Sequence, residues 1–204
     1  MIRLAIIGAG SMAGEHAKHF SRIEGVEVVA VCDMELAKAR DFAGRFGIAD
    51  AYDDLEAMLA REDIQAVSNV TPDGVHKRTS LAAITAGKHI LCEKPLATNA
   101  DDAHEMAQAA QAAKVINMVN FSYRDAPAIQ HARALITAGA IGQVRHVDAS
   151  YRQSWLVSNE WGRWDQESQW LWRLSEAHGS KGVLGDVGVH IVDFASFPVG
   201  DITR

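Results

Sequence analysis

Cysteine is scarce in this chain: Cys32 and Cys92 are the only two among 204 residues. They form no CxxC pair, and each closes an apolar run, where a thiol behaves as a small hydrophobe. That spacing excludes a disulfide framework and a zinc knuckle, and it predicts a reduced, cytoplasmic setting. Basic character is thin as well, with 20 Lys and Arg against 26 Asp and Glu and a formal net charge of -6. Without a lysine or arginine block, neither a nucleic-acid surface nor an anionic-membrane surface is expected. No apolar run approaches the ~20 residues that cross a bilayer. The opening Met1-Ile2-Arg3-Leu4-Ala5-Ile6-Ile7 breaks at Gly8, too early for a signal peptide. Internal repeats and low-complexity linkers are also lacking. What is present, 48% hydrophobic and 23% charged residues, suits a globular chain with a real core whose partner is a small molecule.

Short β-rich runs alternate with helical patterns, as parallel βαβ units require. The runs are Leu4–Ile7, Val26–Val31, Ile64–Val70, His89–Leu91 and Val115–Val119, with a weaker one at Ala51–Tyr52. Leu36, Ala39, Phe42, Ala43 and Phe46 recur at helical spacing, and Ala100–Ala113 reads as a helix capped by Thr98 or Asn99. The predicted class is α/β: an N-terminal doubly wound parallel sheet of the Rossmann type over residues 1–121. Residues 122–204 read as the start of a truncated α+β second domain. There Ala126–Ala138 is helical and ends at Gly139, Val144–Tyr151 alternates like a half-buried strand, and Val183–Phe197 is a last apolar stretch.

Gly8-Ala9-Gly10-Ser11-Met12-Ala13 is a GxGxxA sequence between a strand and a helix. Gly8 permits the tight turn, Gly10 lets the backbone approach a pyrophosphate, and Ala13 allows close helix–strand packing. The helix start then offers its amides to the phosphates. The second strand ends at Asp33, where a carboxylate can hold both ribose hydroxyls. That carboxylate would repel a 2′-phosphate, so NAD is expected rather than NADP, although Lys38 and Arg40 are cations within reach. Three more motifs follow. Thr71-Pro72-Asp73-Gly74-Val75-His76 and Glu93-Lys94-Pro95 each follow a strand, at the edge where open α/β sheets bind ligands. Asp186 and His190, in Gly185-Asp186-Val187-Gly188-Val189-His190, stand four apart on one helical face.

Together these motifs resemble the glucose–fructose oxidoreductase / inositol dehydrogenase (Gfo/Idh/MocA) family of sugar and polyol oxidoreductases, in the family's order and across nearly the whole chain. The resemblance implies an NAD-dependent dehydrogenase acting on CH–OH of a sugar or polyol. It implies that Lys94 hydrogen-bonds the reacting hydroxyl, that His190 is the general acid/base and that Asp186 orients both. A cis Lys94–Pro95 bond is implied as well. The chemistry agrees, because oxidising a secondary alcohol needs a base for the hydroxyl proton and a cation beside the oxygen. Gly8, Ala9, Gly10, Ser11, Met12, Asp33, Thr71, Pro72, His76, Glu93 and Lys94 are the expected cofactor residues.

Asn120 and Arg124, which follow the sixth strand, and Trp161 and Arg163, from the region holding all five tryptophans, are candidates to line the substrate pocket. The tryptophans would serve equally at a subunit interface. His16 and His19 lie one turn apart, and with no third ligand a solvated helix face is expected, not a metal. Family members are longer, so a shortened second domain, an open pocket wall and association into a homo-oligomer are expected. A non-catalytic NAD-binding fragment or sensor is the competing reading, with an NAD-assisted glycosidase a third.

Overall fold

The computed structural model describes residues 1–158, 162–163, 165–167 and 181–202. The chain divides into two units, Met1–Asn120 and Phe121–Arg204. The first alternates strands and helices in the order β1 (Ile2–Ile7), α1 (Ser11–Phe20), β2 (Val26–Cys32), α2 (Leu36–Phe46), β3 (Asp50–Tyr52) and α3 (Leu55–Leu59). It continues through β4 (Ala66–Asn69), α4 (His76–Thr85), β5 (His89–Cys92), α5 (Ala100–Ala113) and β6 (Asn117–Val119). The sheet order is β3-β2-β1-β4-β5-β6, and every neighbouring pair is parallel. This is the doubly wound sheet the alternation predicts. Its order reverses between β1 and β4, the place where such sheets bind ligands at their carboxyl ends.

Burial follows the two-residue period of the strands. Leu4 and Ile6 join Ala13, Ala17, Val31, Ala39 and Phe42 in one core cluster, formed with α1 and α2. Ala5 and Ile7 join Val29, Val67, Met58, Ala83 and Ile84 in the other. Coverage on both faces is why the strands read as continuous apolar runs. Helix starts are fixed locally. The Asp54 carboxylate accepts from the Glu56 and Ala57 amides at 2.9 and 3.1 Å, and the Asn99 side chain accepts from the Asp102 amide at 2.9 Å. Asn99, not Thr98, is therefore the cap. Helix α1 begins differently: its N-cap is Gly10, and no side chain satisfies its first amides.

The described residues of the second unit contain α6 (Pro127–Thr137), α7 (Trp155–Ser158), a π turn (Leu184–Gly188) and α8 (Val189–Ser196). Pro127 sits at the first helical position, where its missing N–H is not needed. The strand expected at Val144–Tyr151 is not formed; those residues are irregular. A strand exists only through ladder hydrogen bonds to a neighbour, and the described residues of this unit supply no second strand. Among the described residues, no helix is long and apolar enough to cross a membrane.

Candidate active site

The turn after β1 departs from ordinary backbone at Gly8, whose φ of 102° is a conformation that side chains rarely adopt. A Cβ there would also stand 3.1 Å from the carbonyl oxygen of Val70, the residue that follows β4. Gly10 is different: a Cβ on it would meet nothing within 4 Å. The chain's own packing does not require a glycine there, and the open side suits the close approach of a ligand. Ser11 and Met12 are exposed at the start of α1, while Ala13 is completely buried against the sheet. The uncapped amides and an acid-free first turn leave the positive end of the helix dipole available to an anion.

Asp33 closes this cradle from β2. One carboxylate oxygen accepts from the Ala9 amide at 2.9 Å and the other from the Glu35 amide at 3.0 Å. An ionised carboxylate has about four acceptor sites, so Asp33 can shape the glycine loop and still receive ribose hydroxyls. Lys38, one of the two cations that would favour a 2′-phosphate, is paired with Glu35. Exposed glycine-loop amides, an open Gly10 and a half-buried Asp33 together fit the pyrophosphate and adenosine ribose of NAD.

The turns after β4 and β5 are joined by a buried histidine. His76 is fully buried, with Nδ1 2.7 Å from the Pro95 carbonyl oxygen and Nε2 2.7 Å from the Thr71 carbonyl oxygen. The sequence placed His76 among the cofactor contacts; its ring is enclosed and both nitrogens face backbone, so it supports the two turns instead. Thr71 is also directed inward, its hydroxyl donating to Asn69 Oδ1 at 2.8 Å, while Pro72 is exposed. The Lys94–Pro95 bond is cis.

Glu93 was another expected cofactor residue, and it too is buried. Its Oε1 lies 3.0 Å from His16 Nε2 and accepts from the Asn120 side-chain amide at 2.6 Å, while its Oε2 accepts from the Lys94 amide at 3.1 Å. Burial alone would raise the Glu93 pKa, but the hydrogen bonds from His16 and Asn120 and the nearby histidine prevail and hold it below the ordinary carboxylate range. Asn120, expected beside the substrate, spends its amide here. His16 is not on a solvated helix face: its Nδ1 lies 2.7 Å from Ser68 Oγ, deep against the sheet. Its partners lie 52 and 77 positions away along the chain, so no local pattern pairs them. The one available signal was its spacing of three from Ala13, which faces the core. Burial raises both thiols, Cys32 to about 11 and Cys92 to about 12, leaving them unreactive core groups.

In the second unit, Asp186 falls within the π turn, where the Val189 amide reaches back five residues to the Leu184 carbonyl. Such turns concentrate at functional sites. His190 follows on α8 and is buried, its ring meeting that of Tyr123 edge-on at 4.5 Å between centroids. Tyr123 is hydrogen-bonded to Tyr151, and burial, that bond and the negative charge of Asp186 push its pKa up to about 12. Arg124, expected at the substrate, instead donates to both oxygens of buried Asp193, with its Nε at 2.8 and 3.0 Å. Arg163 pairs with Asp165 at 2.8 Å. Trp161 lies outside the described residues. Among the described residues, no three His, Cys, Asp or Glu side chains gather to hold a metal.

Residues 2–121 match the family model of the GFO/IDH/MocA oxidoreductases, described as an NAD-binding Rossmann fold, and residues 129–204 match the GFO/IDH/MocA C-terminal domain. The chain belongs to this family. Among relatives, it is 31% identical to levoglucosan dehydrogenase of Pseudarthrobacter phenanthrenivorans over 99% of this chain and 52% of that protein. It is 33% identical to D-glucoside 3-dehydrogenase of Escherichia coli over 98% of this chain and 54% of that one. The structure of levoglucosan dehydrogenase in complex with NADH and levoglucosan superposes with a TM-score of 0.87 at 29% identity, covering 98% of this chain and 54% of that one. The chain thus spans about half the length of the relatives it matches.

Proposed function

We propose that the chain carries the cofactor half of an NAD-dependent dehydrogenase, moving hydride between a CH–OH carbon of a sugar or polyol and nicotinamide. The observation that carries the reading is the Glu93-Lys94-Pro95 turn, moored at both ends by buried hydrogen bonds in the same sheet as the Gly8–Asp33 cradle. Relatives named for levoglucosan and a D-glucoside support the sugar class. When bound, NAD supplies the hydride acceptor; Gly8, Ala9, Gly10, Ser11, Met12 and Asp33 would hold its pyrophosphate and adenosine ribose. Asp33 favours NAD over NADP by charge repulsion of a 2′-phosphate.

Lys94 hydrogen-bonds the reacting hydroxyl oxygen and stabilises the negative charge that grows there. His190 takes the hydroxyl proton at a ring nitrogen and returns it in the reverse direction. Asp186 orients substrate and histidine. Titration with NAD+ and NADH, followed by an assay for NADH absorbance against a panel of aldoses and polyols, tests this. The expected result is saturable binding and turnover on at least one sugar, lost in Lys94→Ala. Binding without turnover on any of them overturns the dehydrogenase reading, and no binding overturns the cofactor reading.

A further inference from the structure

We propose that His16 is a positioning residue for Lys94, acting through Glu93, and that it makes α1 a strut between the phosphate cradle and the lysine turn. The inference rests on the NAD reading above. Helix α1 begins at Ser11 with the free amides of the cradle. Five residues on, about 7.5 Å along the axis at ~1.5 Å per residue, His16 turns into the sheet and meets Glu93 at 3.0 Å. Glu93 in turn receives the Lys94 amide on its other oxygen. The chain of contact therefore runs from the helix that would receive the pyrophosphate to the backbone of the lysine that would touch the nicotinamide end. Ser68 holds the far side of the imidazole at 2.7 Å, and Asn120 approaches His16 Nε2 at 3.3 Å and Glu93 Oε1 at 2.6 Å.

A carboxylate as buried as Glu93 is costly unless every oxygen is served, and His16 and Asn120 together serve the one that Lys94 does not. Without His16, Oε1 keeps only the Asn120 donor, and the carboxylate gains by taking up a proton or turning toward water. Either change weakens its hold on the Lys94 amide and loosens the lysine relative to the cradle. A displacement of about 1 Å at a reacting group can cost on the order of a hundredfold in rate.

The test compares two ligands that share the cradle. ADP-ribose occupies the pyrophosphate and adenosine ribose positions but has no nicotinamide, whereas NADH reaches both ends. In the full chain, His16→Ala should weaken NADH by about tenfold, on the order of one hydrogen bond to a charged group, and leave ADP-ribose within about twofold. His16→Gln, which keeps a donor for Glu93, should recover most of the NADH affinity. Glu93→Gln should weaken NADH similarly, and the His16→Ala/Glu93→Gln double variant no more than either alone. If His16→Ala fails to fold, Glu93→Gln and Asn120→Ala carry the same NADH-to-ADP-ribose comparison. Unchanged NADH affinity, equal weakening of both ligands, or additive losses in the double variant would overturn the proposal. Absence of binding by the wild type to both ligands would instead sink the NAD reading beneath it, and the proposal with it.

Discussion

The two units bury opposite things. In Met1–Asn120 the buried residues are mostly apolar, from Leu4 to Val115, in two clusters flanking the sheet. Among the described residues of Phe121–Arg204, the buried ones are Gly185, His190 and Asp193, while Leu135, Ile141, Val147, Val183, Leu184 and Val192 are exposed. Parallel sheet order, glycine loop and caps make the first unit a complete scaffold for a cofactor. The second holds its proposed acid–base group by aromatic edges and an arginine–aspartate clamp instead of by a core. Stability is thus concentrated in one unit, and proton chemistry is proposed for the other.

The sharpest break of that comparison comes from His190→Ala. Loss of a general acid/base lowers turnover by about 10²- to 10⁴-fold, and the cradle, formed wholly within the first unit, should keep its NADH affinity. Asp33→Ala should do the reverse and weaken NADH first. Steady-state rates and fluorescence titration of both variants decide it; an NADH affinity that collapses in His190→Ala would show that the labour is not divided in this way. Next in size is stability. Phe42 is fully buried and Leu135 is 41% exposed, so Phe42→Ala should cost about 3–5 kcal/mol and Leu135→Ala under about 0.5 kcal/mol. Denaturant melts giving similar losses for the two would erase the contrast. Smaller again is Gly8→Ala, which forces a side chain into a φ of 102° and against the Val70 carbonyl. It should cost about 1–3 kcal/mol and weaken NADH as well, while Gly10→Ala should leave stability nearly unchanged and weaken NADH only.

The same contrast governs what could be read from the sequence. Gly8, Asp33 and the alternating strands were legible because each answers to a local rule: a positive φ, a strand end, a two-residue period. The Arg124–Asp193 clamp was not, since 69 positions separate its members and an arginine after a strand end reads equally as a ligand for substrate. His76 and Glu93 mislead for a related reason: a polar residue in a motif is read as facing the ligand, whereas both are buried and hold the turns after β4 and β5. His16 reads as solvated, because the partners that bury it are 52 and 77 positions away. At Val144–Tyr151 the failure runs the other way, because alternation is a local signal but a strand requires a partner.

The smallest expected effect separates the units by pH. In the first, hydrogen bonding and charge from Arg61, with help from Arg3, lower Asp63 from an ordinary carboxylate value to about 2. A depressed carboxylate contributes its stability above the unfolded pKa of about 3.9 and loses it as pH falls toward the folded value. Acid should therefore erode the first unit between about pH 4 and 2, only slightly, because the pair is exposed to solvent and screened; Asp63→Asn should flatten that limb. In the second unit the sign reverses. Tyr123, raised to about 12 by burial, its bond to Tyr151 and the charge of Asp186, contributes stability below the unfolded tyrosine value of about 10. That contribution is lost as pH climbs through the folded value. An absorbance titration should show a late-ionising tyrosine that disappears in Tyr123→Phe and ionises somewhat earlier in Asp186→Asn, since removing the nearby anion lowers its pKa directly. A late step that is lost in Tyr123→Phe yet unmoved in Asp186→Asn would mean that Asp186 does not face the Tyr123–His190 cluster, and with it would fall the case for Asp186 as the residue that orients the base.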